Sequence, residues 1–263
     1  MHLRHLLAID IGNTHIKIGL HAEGDWQHEW RMSTDVTRTA DEYRLFLRGF
    51  LQEAGVGLVD QTVIASVVPL LTPAFIRVAE TLSYHAPLEI VPPGYGLEVA
   101  YRPPESLGAD RFVNALAAWR KLQGNVVVVG VGTTATIDAV AMPGVFLGGS
   151  IAPGPHLLAN ALAQGTARLP LVPPNIPEVL IGQSTQQAIA VGVGHGFIGM
   201  VNELVFRTWQ MLGSQTPVVL TGGWARRIQP HLKFAAQLEP MLTLEGLRYA
   251  AEYAATSSPA ISP

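Results

Sequence analysis

The string Asp10-Ile11-Gly12-Asn13-Thr14 closes a short apolar run, Leu6 to Ile11, with a carboxylate and a glycine turn. A carboxylate at a strand end can hold Mg2+, usually through water. Gly12 lets the backbone come close to a phosphate. The successive amides of the turn, with the Asn13 and Thr14 side chains, make a concavity suited to anions. Lys17 lies on the next strand, where alternation aims it either at such phosphates or at solvent. As local structure alone, the same string is an ordinary hairpin with an aspartate at a strand end.

Three more strings carry possible chemistry. Gly132-Thr133-Thr134 repeats the glycine turn in the second half of the chain. It reads as a second phosphate loop or as a Thr-rich strand of high β propensity. Gly108-Ala109-Asp110-Arg111 opens an expected helix. There Asp110 can accept a proton from an attacking hydroxyl, and Arg111 can fork onto a carboxylate or phosphate. The plain alternative is a helix first turn, with Asp favoured by the macrodipole and Arg solvated. Leu220-Thr221-Gly222-Gly223 ends a buried strand in glycines, which would let an adenosine lie against the backbone or would simply turn the chain into a helix. None of the nine histidines forms a His-x-x-x-His or His-x-His pair, so a His-built metal site is not expected. His15 adjoins the first loop, while His156 and His195 read as packing or surface residues. There is no Gly-x-Ser-x-Gly elbow and no Walker P-loop.

The elements that would position these residues follow from the apolar periodicity. Strands are expected at Leu6 to Ile11 and through Ile16, Ile18 and Leu20, around the Gly12-Asn13 turn. Further strands are expected at Thr62 to Val68, Leu88 to Val91, Val126 to Val129, Thr134 to Val140, Val145 to Ile151 and Val218 to Leu220. Helices are expected at Thr39 to Glu53, Pro73 to Leu82, Ala109 to Leu122, His156 to Ala163, Thr185 to Leu212 and Leu244 to Ala255. Gly130 to Thr133 is expected as a turn, and the Ser/Pro/Ala tail from Thr256 as frayed. Ala8 to Thr14 aligns with Val128 to Thr134 at an offset of 120 residues, each copy being strand, glycine turn, strand. That repeat implies a duplicated α/β fold, divided near Lys121 to Asn125 into domains 1–121 and 122–263, with a cleft between them and the two loops facing across it. Chance similarity is the alternative, because apolar-Gly-Thr strings are common.

Composition narrows the classes. With 48% hydrophobic and 14% charged residues, 263 residues can bury a substantial core, so disorder is not expected. A net charge of -3 and scattered basic residues do not suit a nucleic-acid binder. The absence of cysteine removes disulfides, thiolate metal sites and thiol catalysis. The apolar run cut by Asp10 is too short for a signal-peptide core. No uninterrupted apolar stretch reaches the roughly 20 residues of a membrane span. The expectation is a soluble cytoplasmic protein without a membrane partner.

Taken together and in order, these strings resemble the type III pantothenate kinases of the acetate and sugar kinase/actin superfamily. The resemblance runs from about Leu7 to Tyr253. It also includes Ser66-Val67-Val68-Pro69, Tyr101 to Arg111, Gly132 to Asp138, Gly149 to Gly154, Gly182 to Thr185, Thr221-Gly222-Gly223 and Leu244 to Leu247. It implies a duplicated actin-like (ribonuclease H-like) fold, two domains around a central cleft. It implies transfer of the ATP γ-phosphoryl group to pantothenate, the first step towards coenzyme A. Asp10, Ile11, Gly12, Asn13, Thr14, His15, Ile16 and Lys17 would form the first ATP loop, with Asp10 holding Mg2+ or another divalent cation. Thr133 would meet ATP. Asp110 would be the proton acceptor, and Tyr101, Gly108, Ala109, Asp110, Arg111 and Thr185 would contact pantothenate. A homodimer and a monovalent cation, K+ or NH4+, are implied as well. The chain departs from the family at Gly130-Val131-Gly132-Thr133, where the pattern is Asp-x-Gly-Thr. The missing carboxylate is the one associated with the monovalent cation, so weak or absent potassium binding is expected at Gly130. That departure keeps open a catalytically weakened homologue that binds nucleotide or pantothenate in a regulatory role. A phosphatase or another kinase of the superfamily is a third reading, against which Tyr101 and Gly108 to Arg111 argue.

Overall fold

The structure is a computed structural model that describes residues 4–257. Two compact units are formed, one running up to Lys121 and resuming at Met241, the other comprising Leu122–Pro240. The expectations for the first three residues and for the tail beyond Ser257 lie outside the described residues. Thr256 and Ser257 close the last helix.

The first unit holds a five-stranded sheet in the order β3-β2-β1-β4-β5. Its strands are β1 (His5–Ile11), β2 (His15–Ala22), β3 (Asp25–Ser33), β4 (Gln61–Ser66) and β5 (Leu88–Glu89). Central β1 runs antiparallel to β2 and parallel to β4. A strand covered on both faces needs apolar residues at every position, which Leu6-Leu7-Ala8-Ile9 supplies. On one face Ile9, Ile16, Ile18 and Leu20 pack with Tyr43, Leu47 and Leu51 of α1 (Ala40–Glu53) and Phe75 of α2 (Thr72–Glu80). Helix α1 begins at a capping box in which Thr39 and Glu42 each receive the other's amide, a device that contributes about 1 kcal/mol. Strand β3 had no counterpart in the sequence expectations. Its apolar positions, Trp26, Trp30 and Met32, alternate with Gln27, Glu29 and Arg31, and as an edge strand it needs only one covered face. A two-residue strand β6 (Glu98–Val99) and α3 (Ala109–Leu122) complete the segment before the second unit.

The second unit carries β7 (Val126–Val131), β8 (Thr134–Ala141), β9 (Val145–Pro153), α4 (Pro155–Gly165), α5 (Thr185–Leu212), β10 (Val218–Thr221), α6 (Ala225–Ile228) and β11 (Gln237–Leu238). Its strands follow one another as β9-β8-β7-β10-β11. This is the order of β3-β2-β1-β4-β5, with the same antiparallel and parallel partners around the central strand. Asp10 lies opposite Lys17 and Ala65, and Gly130 opposite Thr136 and Thr221. The sequence repeat is therefore matched by a repeat of topology and register. Gly130 and Val131 belong to β7, where a turn had been expected, because both pair with β8; the turn is confined to Gly132 and Thr133. Helix α5 is long and apolar enough to cross a membrane by length and composition. Half of its most apolar window is buried, with Phe197, Ile198, Val201 and Val205 packed on the sheet, which makes it the core helix of this unit.

The last helix departs from the expected division. α7 (Leu242–Ser257) belongs to the first unit, not to a domain running from 122 to 263. It packs on β1 and β4, on the sheet face opposite α1 and α2. Leu244, Leu247, Ala250 and Ala251 are buried there. Gly246 lies directly on the Val113 carbonyl of α3, where a Cβ would not fit. Gly19 leaves room for Trp26 and Leu244, and the Trp26 indole donates to Glu245 Oε1 at 2.7 Å. A sheet with two apolar faces needs a cover on each, and this helix is the second cover.

Candidate active site

In the first unit, β1 and β2 deliver Asp10 and Lys17 to one face as directly opposed residues. Asp10 Oδ2 lies 3.8 Å from Lys17 Nζ. Only 7% of Asp10 is exposed, and burial raises its pKa to about 6; the Asp110 charge pushes the same way, while Lys17 partly offsets both. Asp110 stands in the first turn of α3, where its Oδ1 accepts the Arg111 amide at 2.7 Å. Burial raises its pKa too, against the opposing effects of that amide and of Arg111 and Lys17. Gly108 lies beside it, where a Cβ would come within 2.8 Å of Asp110 Oδ1 and displace the carboxylate. Arg111 is buried, with its guanidinium 5.5 Å from the Tyr101 ring centre. The unit thus gathers two proton-hungry carboxylates, a lysine and an arginine–tyrosine pair.

The turn Gly12-Asn13-Thr14 follows Asp10 after Ile11, with Asn13, Thr14 and His15 exposed. Partial burial and the Arg31 and Lys17 charges lower the pKa of His15, so that rim of the loop is electropositive. Ile11 and Ile16 point into the core and serve the loop only through their backbone. Thr34, just beyond β3, was absent from the expectations because β3 was. Its hydroxyl donates to the Gly12 carbonyl at 2.6 Å and its amide to the Thr14 carbonyl at 3.0 Å.

A divalent cation fits this donor set. Asp10 and Asp110 are hard oxygen donors whose ionised forms disfavour each other, and a nearby cation would offset that. No cluster of three or more acidic, His or Cys ligands occurs among the described residues. This suits an ion held by one or two carboxylates together with substrate phosphates.

In the second unit, Gly132 and Thr133 turn β7 into β8, and the first turn of α4 rests on them. The Gly154 amide donates to the Thr133 carbonyl at 3.0 Å, and a Cβ at Gly154 would collide with the Gly132 and Thr133 carbonyls. Gly222, at φ 101°, lies against the Val131 backbone with the same lack of room. Thr185 is the first residue of α5, capped by Ser184. At Gly130 the backbone is not in the left-handed region; a Cβ there would sit 2.8 Å from Thr136 Oγ1. The Thr221 hydroxyl, on the row that pairs with Gly130, is buried without a partner. Asp138 stands opposite Val128, which makes it a diagonal neighbour of Gly130 on one sheet face, about 7–8 Å away at usual spacing. Position 130 itself offers a monovalent cation no side-chain oxygen, so the site does not fit that ion in the way the family resemblance implies.

Comparison with known proteins places the whole chain in a family. The family model described as type III pantothenate kinase matches residues 6–207. The type III pantothenate kinase of Moorella thermoacetica is 40% identical over 247 residues, covering 92% of this chain and 97% of the relative. That of Geobacter sulfurreducens is 38% identical, covering 92% and 96%. Among solved structures, the ethanolamine utilization protein EutJ from Carboxydothermus hydrogenoformans is similar at TM-score 0.57 and 14% identity, covering 93% of this chain and 89% of that one. A glucokinase from an Antarctic psychrotroph is similar at 0.51 and 11%, covering 95% and 99%. The structural likenesses establish the α/β actin-like fold, and the sequence relationships go further: this chain belongs to the type III pantothenate kinase family.

Proposed function

We propose that the protein transfers the γ-phosphoryl group of ATP to the primary hydroxyl of pantothenate, the entry step of coenzyme A synthesis. The observation that carries this reading is the placement of Asp110, a buried carboxylate of raised pKa, in the same unit as Asp10, Lys17 and the Gly12 loop. Phosphoryl transfer asks a protein mainly for positioning and charge stabilisation. The Gly12-Asn13-Thr14 backbone and Lys17 hold the phosphates. A divalent ion held by Asp10 would neutralise charge on the phosphate oxygens. Asp110 takes the proton from the acceptor hydroxyl, and its raised pKa makes it a better acceptor than an exposed carboxylate. Arg111 and Tyr101 orient pantothenate, whose carboxylate suits a guanidinium. By the family resemblance Thr133 meets ATP and Thr185 pantothenate, the protein is a cytoplasmic homodimer, and the expected monovalent cation is weakened by Gly130.

ADP release should rise sharply when pantothenate is added to protein and Mg-ATP, and the product should carry one phosphate per ADP. ADP release indifferent to pantothenate would remove the reading. Gly130 supports a second one, a weakened homologue, whose signature in the same assay is saturable nucleotide binding without turnover.

A further inference from the structure

The end of β3 reaches the phosphate loop through Thr34. Its two bonds engage the carbonyls of Gly12 and Thr14. Each carbonyl belongs to a planar trans peptide whose N–H points the opposite way. With the Gly12 carbonyl turned to Thr34, the Asn13 amide, which belongs to the same peptide, points away from Thr34. The Gly12 amide is used within the turn, donated to the His15 carbonyl at 3.1 Å. Thr34 is anchored in its turn. The Tyr43 hydroxyl donates to the Asp35 carbonyl at 2.7 Å and accepts the Asp35 amide at 3.2 Å. The Tyr43 ring is fully buried against Phe75, with centroids 4.6 Å apart. An exposed glycine turn is thereby tied through Thr34, Asp35 and Tyr43 to the core of the unit.

We propose that Thr34 is a positioning residue for ATP, fixing the Gly12–Asn13 peptide plane so that the loop presents the Asn13 amide rather than the Gly12 carbonyl to the phosphates. This rests on reading Gly12 to Thr14 as a phosphate loop. A donor array already aligned spends no binding energy on ordering itself. Without the hydroxyl, the Gly12 carbonyl is free to swing towards the phosphates and repel them. Backbone pairing with β2 would persist, so the fold does not depend on this bond.

Thr34→Val keeps the shape of the side chain and removes the hydroxyl; Thr34→Ser keeps the hydroxyl. The valine variant should raise the KM for ATP about five-fold, the worth of one hydrogen bond, with the KM for pantothenate unchanged and kcat within two-fold. The serine variant should return the KM for ATP to the parent value. Calorimetric titration with Mg-ATP, on the same variants without pantothenate, should show the same ranking in affinity. Should Thr34→Val aggregate, Thr34→Ala takes its place in both measurements. Unchanged ATP affinity without the hydroxyl would overturn the proposal, as would a serine variant no better than the valine one. A protein that binds Mg-ATP but does not phosphorylate pantothenate would sink the kinase reading alone, because the calorimetric ranking tests Thr34 without turnover.

Discussion

Asp10→Asn should make the protein more stable while weakening its hold on Mg-ATP. The folded carboxyl has a pKa of about 6 against an ordinary value of 3.8. At 1.36 kcal/mol per tenfold change in proton affinity, that difference is roughly 3 kcal/mol. The sign follows from proton counting. Between pH 3.8 and about 6 the folded state binds more protons than the unfolded one, so stability falls as pH rises through that window. Above it the full penalty of a buried carboxylate is in place; below it the penalty is gone. Asparagine has nearly the same shape and carries no charge, so it avoids the penalty at every pH. At pH 8, in chelator and without nucleotide, the variant should melt roughly 6–12 °C higher, taking about 2–4 °C per kcal/mol. At pH 4, close to the lower end of the window, most of the advantage should be gone. In the same preparation, calorimetry should show weaker Mg-ATP binding, since the lost carboxylate is the partner proposed for the metal. A variant less stable than the parent at pH 8, or one equally stabilised at both pH values, would refute the assignment of a burial-strained carboxylate.

Asp110→Asn should lower kcat by about 10²-fold or more, the usual loss for a general base, with Mg-ATP affinity retained; near-normal turnover would take Asp110 out of the mechanism. Activity should respond little when potassium is replaced by sodium at constant ionic strength, because Gly130 offers no carboxylate; strong potassium activation of the unmodified protein would contradict this. Gly130→Asp is not barred by backbone conformation, so it should fold once Thr136 shifts its hydroxyl and should gain cation dependence, read by activity against potassium alongside a melting curve. Gly154→Ala should raise the KM for ATP and lower the melting temperature by a few degrees, through collision with the Gly132 and Thr133 carbonyls; an unaltered KM would separate that loop from the nucleotide.

Much of this protein was legible in the chain itself. Leu6 to Ile9 and Val126 to Val129 are apolar at every position, a pattern that only a strand covered on both faces requires, and each is followed by a glycine turn. Local spacing therefore revealed both central strands, both glycine turns and the helix that begins at Ala109. Strand β3 escaped because the polar His28 interrupts its apolar face between Trp26 and Trp30, and Thr34 escaped with it. Tertiary structure alone decided what depends on register and on distant packing. Which face of β8 Gly130 shares, and hence the nearness of Asp138 and the crowding by Thr136, is fixed by pairing between strands. The return of α7 to the first unit depends on glycines at 19 and 246 letting it lie against β3 and α3, contacts separated by more than a hundred residues. The raised pKa of Asp10 is of the same kind. Sequence supplied a carboxylate at a strand end, but only folding withdrew it from water and set it near Asp110, where its charge is costly, is only partly offset by Lys17, and would be relieved by a bound cation.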